Sequence, residues 1–125
     1  MHESGAVILV IEDEWLVRDQ IVNELQGAGW EVLEASTGEG ALGFLHPSQR
    51  IDIVFTDIQL SGYLSGWDVA ELFRAARTDI PVIYASGNSV DRSRRVPGSL
   101  FFNKPYTDTE VLQACDRLVC HTDNV

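Results

Sequence analysis

Apolar residues along this chain follow two alternating patterns. Short, mainly apolar runs form the first: Val7-Ile8-Leu9-Val10-Ile11, Ile51-Asp52-Ile53-Val54-Phe55-Thr56, Pro81-Val82-Ile83-Tyr84-Ala85 and Leu100-Phe101-Phe102. Runs this short, rich in β-branched and aromatic residues, predict strands covered on both faces. Trp30-Glu31-Val32-Leu33-Glu34 has mixed polarity and predicts a strand near a sheet edge. Between the runs the period becomes helical. Val17, Ile21 and Leu25 form one stripe; Val69, Leu72, Phe73 and Ala76 form another; Val111, Leu112, Cys115, Leu118 and Val119 form a last one, with Thr107 or Asp108 as its cap. A further helix is expected after Ser36-Thr37, with Glu39 in its first turn, Ala41, Leu42 and Leu45 on its buried side, and Pro47 closing it. Residues 88–98 break the pattern. They are polar, hold Arg92, Arg94, Arg95 and Pro97-Gly98, and offer only Val90 and Val96 for burial. Ordering them costs about 1–2 kcal/mol per residue in backbone entropy, with little to offset it. A helix here is expected to be short, frayed or absent.

Alternating strands and helices predict an α/β fold: a five-stranded parallel sheet, doubly wound as (βα)5, with helices on both faces. The 125 residues fit one domain, read as 1–125 with no output domain attached. Ligands in open parallel sheets bind beyond the carboxyl ends of the strands. The first strand ends in Glu12-Asp13, the third in Asp57, the fourth in Ser86 and the fifth in Lys104, the only lysine of the chain. Three carboxylates in one crevice stay ionised only beside positive charge. An oxygen-rich cluster suits a hard divalent cation, Mg²⁺ or Mn²⁺, and a cation beside a carboxylate suits phosphoryl transfer to it. A lysine and a hydroxyl would hold the remaining phosphoryl oxygens.

The arrangement resembles the receiver domain of response regulators, of flavodoxin-like fold. The matching pieces are Val-Ile-Glu-Asp at 10–13, Phe-Thr-Asp-Ile at 55–58, Ala-Ser-Gly at 85–87 and Asn-Lys-Pro at 103–105. That resemblance implies that Asp57 accepts a phosphoryl group from a sensor histidine kinase or histidine phosphotransferase, and that the switched domain controls a downstream protein partner. It implies Mg²⁺ held by Asp13, Asp57 and the backbone carbonyl of Gln59, with Glu12 supporting the ion through water. Ser86 would be the switch hydroxyl, Lys104 the phosphoryl-binding cation, Phe101 the switch aromatic, and the Lys104–Pro105 bond is often cis in the family. The sequence departs from the commonest pattern in its Glu-Asp pair, a loop from Asp57 to Gly66 one residue longer, and a stretch from Ser86 to Lys104 about one helical turn short. The last departure resembles a receiver subgroup with a shortened fourth helix.

Charge and cysteine content narrow the alternatives. Nineteen acids against nine bases give a net charge of −10, which disfavours direct contact with nucleic acid. Cys115 and Cys120 have no metal or redox spacing and read as apolar fillers of a reducing compartment. The N-terminus lacks a basic region, and the run from Ala6 to Ile11 is too short to span a membrane, so a cytoplasmic location without membrane insertion is expected. His2, His46 and His121 read as surface residues, and Trp15, Trp30 and Trp67 as packing residues. The three arginines of 88–98 read as a solvated loop face. A signalling module is expected rather than an enzyme. An Asp-nucleophile phosphohydrolase would want an acid two residues past Asp57, where Gln59 stands. A flavin carrier would want a Ser, Thr or Gly-rich first turn, where Glu12-Asp13-Glu14 would repel phosphate.

Overall fold

The computed structural model describes residues 5–123, with side chains to residue 119. His2 and the side chains of Cys120 and His121 lie outside what the structure describes. The elements, in chain order, are β1 (Val7–Ile11), α1 (Trp15–Gly27), β2 (Glu31–Ala35), α2 (Gly38–Leu42), β3 (Ile53–Asp57), α3 (Gly66–Ala76), β4 (Val82–Ser86), β5 (Leu100–Asn103) and α4 (Asp108–Asp123). The five strands pair in parallel in the order β2-β1-β3-β4-β5. The central runs Val7–Ile11, Ile53–Asp57 and Val82–Ser86 are buried along their whole length, as their continuous apolar pattern predicts. β2, at the edge, keeps Glu31 and Glu34 exposed.

Strand alternation divides the interior in two. Ile8, Val10, Ile53, Phe55 and Ile83 face α1 and α4, where Ile21, Val22, Leu25, Val111, Ala114 and Cys115 meet them. Leu9, Ile11, Val54, Val82 and Tyr84 face α2 and α3, against Ala41, Val69, Ala70 and Phe73. The chain leaves β1 toward β2 and then returns past β1 to β3. Right-handed crossovers in opposite directions require helices on opposite faces, so the reversal falls between β1 and β3.

Three local expectations change. Helix α2 ends at Leu42 instead of running to Pro47, because Gly38 and Gly40 lower helix propensity within its five residues and Gly43 follows at its C-cap. Its cap is Thr37, whose hydroxyl accepts from the Gly40 amide. Leu72 is 43% exposed, and Trp67, Val69, Ala70 and Phe73 fill the buried side of α3 in its place. Trp15 stands 65% exposed at the start of α1, while Trp30 and Trp67 pack in the interior as expected. Of the two candidates, Thr107 caps α4: its hydroxyl accepts from the Glu110 amide, and the Glu110 carboxylate accepts from the Thr107 amide.

Among the described residues there is no helix between β4 and β5. The connection still crosses on the α2/α3 side, with Val96 buried and Val90 packed against that core. The Val96 amide donates to the Tyr84 hydroxyl. The arginines are exposed, as a solvated face would be, and they also fasten the segment. Arg94 reaches Asp68 and Glu71 of α3 at 2.8 and 2.7 Å. Arg92 lies 3.7 Å over the Phe101 ring, and Arg95 donates to the Ser99 carbonyl and hydroxyl. From α3, Arg74 donates to the Pro97 carbonyl.

Candidate metal and phosphoryl site

Sheet register brings the strand ends together. Ile11 lies beside Thr56, Asp57 beside Ala85, and Ser86 beside Asn103. One residue further along, Glu12, Asp57, Ser86 and Lys104 therefore share one edge. Lys104 closes the group: its ammonium donates to Glu12 Oε1 at 2.8 Å and to Asp57 Oδ2 at 3.0 Å. Glu12 and Asp57 are only 2% and 7% exposed. The lysine is the compensating charge that such buried acids need.

Each acid is fixed by local structure. The Glu12 amide donates to the Ala35 carbonyl, its carboxylate accepts from the Glu14 amide, and its own carbonyl accepts from Arg18. Burial holds the Glu12 carboxyl above the usual glutamate range, against the pull of Lys104 and the Glu14 amide, and the nearby Asp57 charge raises it further. Burial pulls the Lys104 ammonium down, but its bonds and attraction to both acids outweigh this and leave it above the ordinary lysine range. At Asp57, helix α3 begins unusually close. A Cβ on Gly66 would sit 2.1 Å from the Asp57 carbonyl oxygen, so only glycine lets the Gly66 amide reach the Ile58 carbonyl at 2.8 Å.

Asp13 completes the group. Oxygens of Glu12, Asp13 and Asp57 can all lie within 4.8 Å of one another. This spacing, with only oxygen ligands, fits a hard divalent cation coordinated at 2.0–2.6 Å to roughly two or three carboxylates and water. A cavity of about 410 Å³ opens beside it, lined by Asp13, Asp57, Gln59, Ser61, Asn88 and Lys104.

The remaining expected residues lie around this mouth. Gln59 lines it, and its side-chain oxygen accepts from the Asn88 amide group at 2.9 Å, tying the loop after β3 to the loop after β4. Ser86 is buried, and its hydroxyl is engaged by its own turn, donating to the Asn88 carbonyl and accepting from the Asn88 amide. The Lys104 amide donates to the Ser86 carbonyl, and Lys104–Pro105 is cis. Phe101 is not at the mouth. It is half-buried on the α2/α3 side, 6.3 Å from Tyr84 and 6.4 Å from Trp67. The sequence reading did not single out Ser61 or Asn88. Both are loop residues whose partners depend on how two loops meet, and no periodicity reports that.

The family model for the response regulator receiver domain matches residues 8–116. A crystal structure of a response regulator receiver protein from Sinorhizobium medicae is similar over 94% of this chain and 95% of its own, at 31% identity and TM-score 0.87. Response regulator protein TrrA from Thermotoga maritima, solved in complex with Mg²⁺-BeF, is 28% identical over 90% of this chain and 98% of its own, at TM-score 0.78. A "Probable transcriptional regulatory protein" of Picosynechococcus is 31% identical over 93% of this chain and 50% of its own length. The chain spans about half the length of this curated relative and of others that it matches. No helix among the described residues is long and apolar enough to cross a membrane.

Proposed function

This chain belongs to the response regulator receiver domain family, and from that premise we propose that residues 1–125 work as one receiver domain in which Asp57 takes a phosphoryl group from a phosphohistidine. The observation that carries this reading is the Lys104 ammonium bridging Glu12 and Asp57, with Asp13 close enough to share a cation with both. In the transfer, an Asp57 carboxylate oxygen forms the new O–P bond while the P–N bond to the donor imidazole breaks. Asp13, Asp57 and the Gln59 carbonyl would hold Mg²⁺ or Mn²⁺, with Glu12 assisting through water. The bound ion would neutralise charge on the phosphoryl oxygens.

The residues of this chain do the rest. Lys104 holds the Asp57 carboxylate before transfer, and can move from it to a phosphoryl oxygen afterwards. Ser86 must leave its turn with Asn88 to donate to another phosphoryl oxygen. That departure would disturb residues 88–98 and Phe101 beyond them, giving a downstream protein partner a changed surface. The TrrA complex supports the cofactor assignment, since that relative is described with Mg²⁺ and a fluoroberyllate. Kinase, phosphotransferase and effector would meet the domain in the cytoplasm, a setting that suits the buried free thiol of Cys115.

Acetyl phosphate with Mg²⁺ should add one phosphoryl group to the protein and none to Asp57→Asn, read by intact-mass measurement. Equal labelling of that variant would overturn the assignment.

A further inference from the structure

Asp13 differs from the other two acids of the site. Glu12 and Asp57 are held by the Lys104 ammonium, whereas Asp13 is met by the neutral Ser61 hydroxyl, which donates to Asp13 Oδ2 at 3.0 Å. A cation partner would cancel the charge on which metal affinity depends. A hydroxyl aims the carboxylate and leaves that charge in place.

Ser61 lies in the loop between β3 and α3, and that loop is fastened at a distance from the site. Ser61 forms a parallel bridge with Thr37, just before α2. Two residues on, the Tyr63 amide donates to the Glu39 carboxylate at 3.0 Å. Gly62 between them has φ +94°, and a Cβ there would stand 2.9 Å from both Glu39 oxygens, so glycine is needed for the carboxylate to come this close. The amide bonds hold Glu39 below the usual carboxylate range, so it is charged at neutral pH. Tyr63 is 97% exposed and supplies no apolar anchor for the loop.

We infer that Ser61 is a positioning residue for the metal-binding carboxylate Asp13, and that Glu39 of α2 acts through the loop to keep Ser61 in place. This rests on the reading of Glu12, Asp13 and Asp57 as a divalent-cation site. A hydrogen bond from outside the ligand set typically changes metal affinity 10–100-fold. Ser61 is exposed, so the lower end applies.

Calorimetric titration with Mg²⁺, repeated with Mn²⁺ by electron paramagnetic resonance, tests it. Ser61→Ala should weaken binding of both ions roughly ten-fold, and Ser61→Thr should restore most of the loss. Glu39→Gln should weaken binding less, and should add nothing in the Ser61→Ala background, because both changes act through one hydroxyl. Circular dichroism and thermal melts in chelator separate a folding defect from lost positioning. Wild-type affinity in a folded Ser61→Ala protein would overturn the inference, and fully additive losses would overturn the role of Glu39. No ion binding by the wild-type protein would instead bring down the cation-site reading on which this one rests.

Discussion

Glu12 carries a cost that its neighbours only partly offset. A carboxyl raised in the folded state favours folding while it is protonated. Its contribution is complete below the ordinary glutamate value of 4.5 and is lost as pH rises through the raised value. In chelator, the stability of the metal-free protein should therefore decline as pH climbs from that value, and Glu12→Gln should flatten this part of the curve. Thermal melts of both proteins across the range check this; parallel curves would show that Glu12 is not the group responsible. The same residue shows why the convergence of the candidate site was readable in the sequence. Glu12, Asp13, Asp57, Ser86 and Lys104 each end a strand or follow one within two residues, and parallel strands align their ends wherever those ends fall in sequence. The solitary lysine could compensate the acids only from that edge. Ser61 has no such marker. Its role depends on a bridge to Thr37, and nothing in a run of Gln-Leu-Ser-Gly-Tyr signals one.

At the scale of elements, the strands were legible because continuous apolar runs have one use in a sheet covered on both sides. Helix α3 was legible from its period, although the pattern put Leu72 inside where Trp67 and Ala70 stand. The connection from β4 to β5 was legible as holding at most a short or frayed helix, but the work of its arginines was not, because ion pairs between distant segments leave no periodic trace. Burying a valine contributes at most about 1.5–3 kcal/mol, so Val96 alone does not offset the entropy of ordering eleven residues at about 1–2 kcal/mol each. Individually weak exposed ion pairs make up part of the difference, and salt screens them. The Arg94 bonds hold Asp68 below the usual carboxylate range, a contribution present above the ordinary aspartate value and lost as pH falls through the lowered one. Arg94→Ala should speed amide hydrogen exchange in residues 88–98 while leaving β1 and β3 protected. Raising the ionic strength should move wild type toward the variant. Unchanged exchange in the variant would show that Val96 and the Tyr84 hydroxyl suffice.

At the scale of the whole molecule, alternation of strand and helix predicted the doubly wound sheet. The strand order was not spelled out in the sequence, since crossover direction depends on how helices share the two faces. The division of the interior has an optical consequence. Each side of the sheet holds one buried indole, Trp30 with α1 and α4 and Trp67 with α2 and α3, while Trp15 stands in solvent. Replacing Trp15 by Phe, together with either of the others, leaves a fluorophore that reports one side alone. Urea titrations of the two resulting proteins, each referred to its own circular dichroism transition, should give coincident midpoints if the sheet couples both sides into one cooperative unit. A fluorescence midpoint apart from the dichroism transition in either protein would reveal sides that melt separately. Trp67 also sits 4.7 Å from Tyr84 and 6.4 Å from Phe101. Its emission is thus the intrinsic light signal placed to follow a rearrangement of the connection those two rings support, without any added label.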